Sequence, residues 1–170
     1  MSETLNRLMM GFIITLGVFV ILAAIAVIDF KTMEIPDSLI LALLPFAVMS
    51  ARVFTEINIW ERAAGFFVIS LPMLIISLLI NGAFGGGDIK LAAACGFILG
   101  WKNMLAAFSI ALLLGGVYAI YLLLSRKAKK GAAIAFGPYL CAGICLAMLY
   151  GGEIGGIIES YLNLFLFIWQ

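Results

Sequence analysis

The sequence predicts an all-α protein: a polytopic membrane helix bundle of about six transmembrane helices, with a short extra helix at its C-terminal end. Three observations lead there. Of the 170 residues, 65% are hydrophobic and only 11% are charged, for a mean hydropathy of +1.23, far from the mix of a soluble domain. The apolar residues form runs of up to about twenty without period-two alternation, and in hydrocarbon only helices or closed barrels satisfy the backbone, so these runs are helices. Polar residues are confined to short punctuation between the runs.

The first run follows "MSETLNRL" and covers 9–29. It has the length of a full crossing, lacks a small-residue cleavage site and ends in Asp29, so it reads as a permanent span rather than a signal peptide. "EIPDSL" then supplies a turn at Pro36 and an N-cap at Asp37 for a second span over 38–54. A third run occupies 62–80. The fourth, 88–101, follows three glycines and carries Ala92, Gly96 and Gly100 at four-residue spacing, a stripe whose expected role is close helix packing. Spans over 104–124 and 133–150 come next, and a short piece near 156–169 closes the chain. The fourth and last pieces fall short of the ~20 residues that cross ~30 Å of hydrocarbon, so they tilt, sit in thinned bilayer or stop before crossing.

Alternating crossings sort the connections onto two faces. One face receives 30–37, 81–87 and 125–132; the other receives the N-terminus, 55–61, 102–103 and 151–155. The first holds Lys31, Lys90, Arg126, Lys127, Lys129 and Lys130, against Arg7, Arg52, Arg62 and Lys102 on the second. The excess of basic residues predicts that the first face is cytoplasmic and the N-terminus extracytoplasmic. Asp29, Asp88 and the segment "AFGPYL" at 135–140 then share the cytoplasmic face.

Chemistry is narrowed by what is missing. The net charge of +1 is too small to argue for nucleic acid, and there is no histidine, which removes Ser-His-Asp and Cys-His nucleophiles and the histidine-based zinc helix. Cys95, Cys141 and Cys145 lie inside apolar stretches with neither a disulfide framework nor a Cys-x-x-Cys pair, and read as small core residues. No metal and no cofactor are expected. What remains is a pair of carboxylates: held close, they repel, share one proton, and can activate water and polarise a carbonyl together.

Each aspartate also has a plainer reading. Asp88 follows Gly85, Gly86 and Gly87 and opens a helical run, as an ordinary N-cap does. Asp29 ends a helix, where the dipole disfavours a carboxylate, at the edge of hydrocarbon, where ionisation is costly; the alternative is an interfacial side chain reaching water. The three glycines permit positive φ and close approach of an extended peptide, or form a flexible linker. Lys31 and Lys90 are expected to anchor at headgroups, with cross-pairing between the two Asp-x-Lys motifs as the alternative. Glu34 reads as a solvated loop carboxylate.

The chain resembles the type IV prepilin peptidases, of the Gly-x-Gly-Asp intramembrane aspartyl protease family. "GGGDIKL" matches Gly-x-Gly-Asp-x-Lys, "DFKTMEIPDSL" matches Asp followed by Ile-Pro-Asn/Asp, and "AFGPYLCAG" matches a Phe-Gly-Pro segment, in the family's order over roughly 20–145. The resemblance implies one membrane-embedded peptidase domain over 1–170 with Asp29 and Asp88 as the catalytic pair. Gly85, Gly86, Gly87, Lys90, Pro36, Asp37, Phe136, Gly137 and Pro138 would support motif and substrate. It implies prepilin-like substrates, bound through a hydrophobic N-terminal helix among lipids and cleaved at the cytoplasmic face of the cell membrane to remove a short basic leader. Larger members carry an N-terminal extension with paired cysteines and an N-methyltransferase activity; cleavage without methylation is the expectation here, as in the short enzymes of tight-adherence pili or the archaeal preflagellin peptidases.

Rival readings are a presenilin- or signal-peptide-peptidase-like protease, disfavoured because the chain has Ile28-Asp29 and Phe136-Gly137-Pro138 in place of Tyr-Asp and Pro-Ala-Leu, a small membrane carrier or proton relay, and a non-catalytic assembly subunit. A protease needs the two aspartates around one water; a relay tolerates carboxylates far apart.

Overall fold

The computed structural model describes residues 2–80, 82–125 and 135–151. Among them the architecture is all-helical: α1 (Ser2–Thr32), α2 (Asp37–Val53), α3 (Ile59–Val68), α4 (Ser70–Leu79), α5 (Gly86–Leu124) and α6 (Gly137–Gly151). The expected piece near 156–169, the basic run Arg126–Lys130 and most of the 151–155 connection lie outside the described residues. Three stretches, Leu5–Thr32, Ile59–Leu79 and Gly86–Leu122, are long and apolar enough to cross a membrane, and Gly137–Gly151 is a shorter apolar helix.

The helix ends differ from the sequence expectation for local reasons. With 31 residues, α1 is ~46 Å long, which exceeds the ~30 Å hydrocarbon core; polar residues at its ends extend the helix past Asp29 to Thr32 without breaking it. α3 starts at Ile59 rather than 62 because Asn58 and Glu61 form a capping box, with the Asn58 N–H donating to Glu61 Oε2 at 3.0 Å. α3 and α4 form one rod notched at Ile69 (φ −109°, ψ −42°), since Pro72 has no N–H for the carbonyl of Val68. Asp37 is not the N-cap of α2: that position belongs to Pro36 (φ −64°, ψ 128°), and Asp37 is the first helical residue.

Inside α5, Gly100 takes φ 76° and ψ 169°, and the chain doubles back there. Phe84 and Phe108 both meet Phe136, with ring centroids 5.7 and 6.0 Å from it, whereas an unbroken helix would hold residues 84 and 108 ~36 Å apart. The two halves, 86–99 and 101–124, correspond to the expected fourth and fifth spans.

The small-residue stripe of the fourth span meets a partner that sequence reading did not name. Gly96 crosses Gly65 of α3 so closely that a methyl on either would collide with the other's carbonyl oxygen, as expected where small residues let helices touch. Gly17 of α1 likewise leaves room for the Phe46 ring of α2.

At the end remote from Asp29 lies a buried cation, Arg62, only 1% exposed. It donates to the carbonyls of Ser50 (3.1 Å) and Phe54 (2.8 Å) at the end of α2, and of Phe97 (3.2 Å) and Ile98 (3.3 Å) just before Gly100. Ile57 O and Ser50 Oγ accept as well, at 3.3 and 3.1 Å. Two helix C-termini, each with unsatisfied carbonyls and a negative dipole end, thus converge on one guanidinium. The sequence reading treated Arg62 as a face-setting loop charge; it is an internal tie.

Candidate active site

A buried stripe on α1 runs Ile14, Val18, Leu22, Ile25 at helical spacing, and Asp29, 4% exposed, is its next member. The first half of α5 does the same from its start: Asp88, 8% exposed, shares a face with Leu91, Ala92 and Cys95. Helical register alone therefore turns both carboxylates inward at one end of the bundle.

Asp29 and Asp88 line one open cavity of about 470 Å³ with Met33, Glu34, Ile35, Asp37, Gly85, Gly86 and Gly87. The two carboxylates interact electrostatically. Asp29 Oδ2 and Asp88 Oδ1 are buried and have no hydrogen-bond partner among the described residues, an unusual state for polar atoms away from water.

Asp29 is held from two sides. Its carbonyl accepts the Met33 N–H at 2.9 Å, and Met33 takes a left-handed φ of 56°, closing α1 in the manner usually left to glycine. Across the bundle, Gly137 begins α6, and its backbone amide faces the Asp29 carboxyl; a Cβ on Gly137 would lie 2.5 Å from Oδ2. The negative end of α1 thus meets the positive end of α6 at the carboxylate, which offsets the dipole cost that the sequence raised.

Asp88 is not an N-cap. The helix starts at Gly86, so Asp88 is its third residue, and its carboxyl turns back toward Gly85, where a Cβ would lie 3.2 Å from Oδ2. The three glycines do not supply positive φ: among the described residues that conformation is taken by Met33, Gly82 and Gly100. Their smallness serves packing, because a Cβ on Gly87 would lie 2.7 Å from Ile35 Cβ, while Gly86 faces open space.

Lys90 has a partner outside the two Asp-x-Lys motifs. Its ammonium donates to both oxygens of Asp37, at 2.7 and 2.9 Å, and ties the start of α2 to the start of α5. Lys31 is exposed. Phe136 packs between Phe84 and Phe108, and its carbonyl accepts the Tyr139 and Leu140 N–H groups, both at 3.1 Å, to start α6. Pro138 sits in that first turn, where its missing N–H costs nothing. Neither Pro36 nor Pro138 lines the cavity.

Met33 and Ile35 were not singled out by sequence reading, and Glu34 only as a solvated carboxylate. The signal was available: a linker as short as 33–36 between two helices must pass over the end of α1, where Asp29 sits. Cys95 and Cys141 are buried and Cys145 is half-buried, all as free thiols. Among the described residues no group of His, Cys, Asp or Glu side chains is placed to hold a metal ion.

Comparison with known proteins adds the family. The model of the type IV leader peptidase family matches residues 6–120, which include both aspartates and the glycine loop and stop before Phe136. The chain is 37% identical over 139 residues to a prepilin leader peptidase/N-methyltransferase of Bacillus subtilis, covering 79% of this chain and 54% of that protein. Proteins of the same name from Aeromonas salmonicida (33% over 139 residues) and Pseudomonas aeruginosa (30% over 138) match 79% and 78% of this chain and 48% of their own length. The chain spans about half the length of the curated relatives it matches. No solved structure matches significantly. Because the family match runs over most of the chain and through every wall of the cavity, the chain belongs to the type IV leader peptidase family.

Proposed function

We propose that this chain is an intramembrane aspartyl endopeptidase that removes the leader from type IV prepilin-like precursors (pilins, pseudopilins or archaellins), with Asp29 and Asp88 as its catalytic pair. One observation carries the reading: two inward carboxylates from different helices line a single open cavity, each with an oxygen that no described protein group engages. A relay or carrier could use carboxylates far apart, so their meeting at one cavity supports the peptidase.

In this mechanism the pair holds one proton. The ionised carboxylate takes a proton from water as the water oxygen adds to the scissile carbonyl carbon, and the protonated carboxyl donates to that carbonyl's oxygen. Collapse breaks the C–N bond, the departing nitrogen takes up a proton, and the pair is left as it began. The open approach at Gly86 leaves room for an extended peptide backbone beside Asp88. The cavity opens at the cytoplasmic face, with the N-terminus of the chain outside, a reading supported by the excess of basic residues in the connections assigned to that face. The substrate's apolar helix lies laterally among the spans and lipid while its leader stays in the cytoplasm.

Cleavage of a purified prepilin by the wild type, Asp29→Asn and Asp88→Asn in detergent or bilayer discs tests the proposal. Each variant should lose activity by at least about 10²–10⁴-fold, the usual contribution of a positioned acid or base, with an unchanged melting profile. Full activity in either folded variant removes that residue from the mechanism.

A further inference from the structure

The cavity is unbalanced in charge. Of the nine described residues that line it, four are carboxylates, Asp29, Glu34, Asp37 and Asp88, and none is basic. Asp37 is neutralised by Lys90, which engages both its oxygens. The proposed dyad shares a proton. Glu34 is left over. Its backbone is fixed, since the left-handed turn at Met33 sets the direction in which the linker leaves α1 and the Glu34 N–H donates to Thr32 Oγ1 at 3.3 Å. Its exposed carboxylate has no hydrogen-bond or ion-pair partner among the described residues. Lys31, the nearest cation in sequence, is exposed and does not line the cavity.

The same cavity contains the buried, unpartnered oxygens of Asp29 and Asp88, which mark it as a place built to receive a ligand. A ligand that carries positive charge would find in Glu34 an accessible counter-charge at the mouth of that cavity. We propose that Glu34 is a specificity-determining residue: its carboxylate pairs with a lysine or arginine side chain of the peptide substrate at the cavity mouth while the scissile bond lies between Asp29 and Asp88. This rests on the peptidase reading above and assigns its charge preference to one residue.

Two synthetic peptides test it, identical across the cleavage site except that the lysines on the leader side of one are glutamines in the other. Wild type should prefer the lysine peptide, and the preference should fade at high salt. Glu34→Gln should raise KM for the lysine peptide roughly two- to fivefold, the range of a solvent-exposed ion pair, with kcat unchanged and the glutamine peptide cleaved as before. Glu34→Lys should invert the preference. A Glu34→Gln effect that is equal for both peptides, as a structural role or pairing with a cation of this chain would give, overturns the inference, as does no effect on either. Should wild type cleave neither peptide nor intact prepilin, the peptidase reading itself fails.

Discussion

The carboxylate of Asp29 rests against the backbone of Gly137 so closely that a single methyl group there would come within 2.5 Å of Oδ2 and 2.9 Å of Cγ. The contact joins the end of α1 to the start of α6 and places the carboxylate by shape as well as by charge.

Gly137→Ala should therefore displace Asp29. Misplacing a catalytic group by about 1 Å can cost about 100-fold in rate, and overpacking of this kind costs about 1–3 kcal/mol in stability. Prepilin cleavage by the folded variant, measured beside its thermal midpoint in detergent, checks both. An alanine variant as fast as wild type would show that the close contact does not position the proposed dyad.

The Lys90–Asp37 pair ties the start of α2 to the start of α5, the helix that carries Asp88, yet both side chains are more than half exposed, at 56% and 66%. An exposed pair contributes about 0.2–1 kcal/mol to stability, so Lys90→Gln and Asp37→Asn should scarcely move the melting point. Their effect should fall on turnover, and the double variant should be no slower than the worse single one. A double-mutant cycle on kcat measures this coupling; purely additive losses would mean that the two residues act separately.

Arg62 makes the opposite prediction. Arg62→Met takes the guanidinium away from the carbonyls of Phe97 and Ile98 and removes one of two donors from those of Ser50 and Phe54, which keep the N–H groups of Phe54 and Ile57, and a buried group left unsatisfied costs about 1–3 kcal/mol. Arg62→Lys should rescue little, because an ammonium cannot reproduce the planar fork. Thermal unfolding in detergent should show a large loss in both variants, with cleavage per folded molecule close to wild type.

Much of this molecule was legible in the sequence because bilayer thickness and backbone satisfaction leave few options for an apolar run. The reversal at Gly100 fell within a few residues of the expected connection, and Asp29 lies beside Gly137 and in one cavity with Asp88, so three segments expected near one another do meet. Pairings between distant segments were not legible. Nothing near Lys90 in the chain announces Asp37, nothing near Gly96 announces Gly65, and Arg62 looks like any interfacial cation until the ends of α2 and of the 86–99 helix surround it. Two local signals were there to be read: the Asn58–Glu61 capping box, and the i, i+3/i+4 register that places Asp29 below Ile25 and Asp88 beside Leu91 and Ala92.

The Gly65–Gly96 crossing has a mechanical corollary. With two backbones in direct contact and no side chains to yield between them, α3 and the 86–99 helix cannot slide past each other, and the touching point acts as a fulcrum. Asp88 stands eight residues from it, a lever arm of ~12 Å, so a tilt of about five degrees sweeps that carboxylate through about 1 Å. Bulk added at either glycine would be transmitted along the rod and felt at the Asp88 carboxylate.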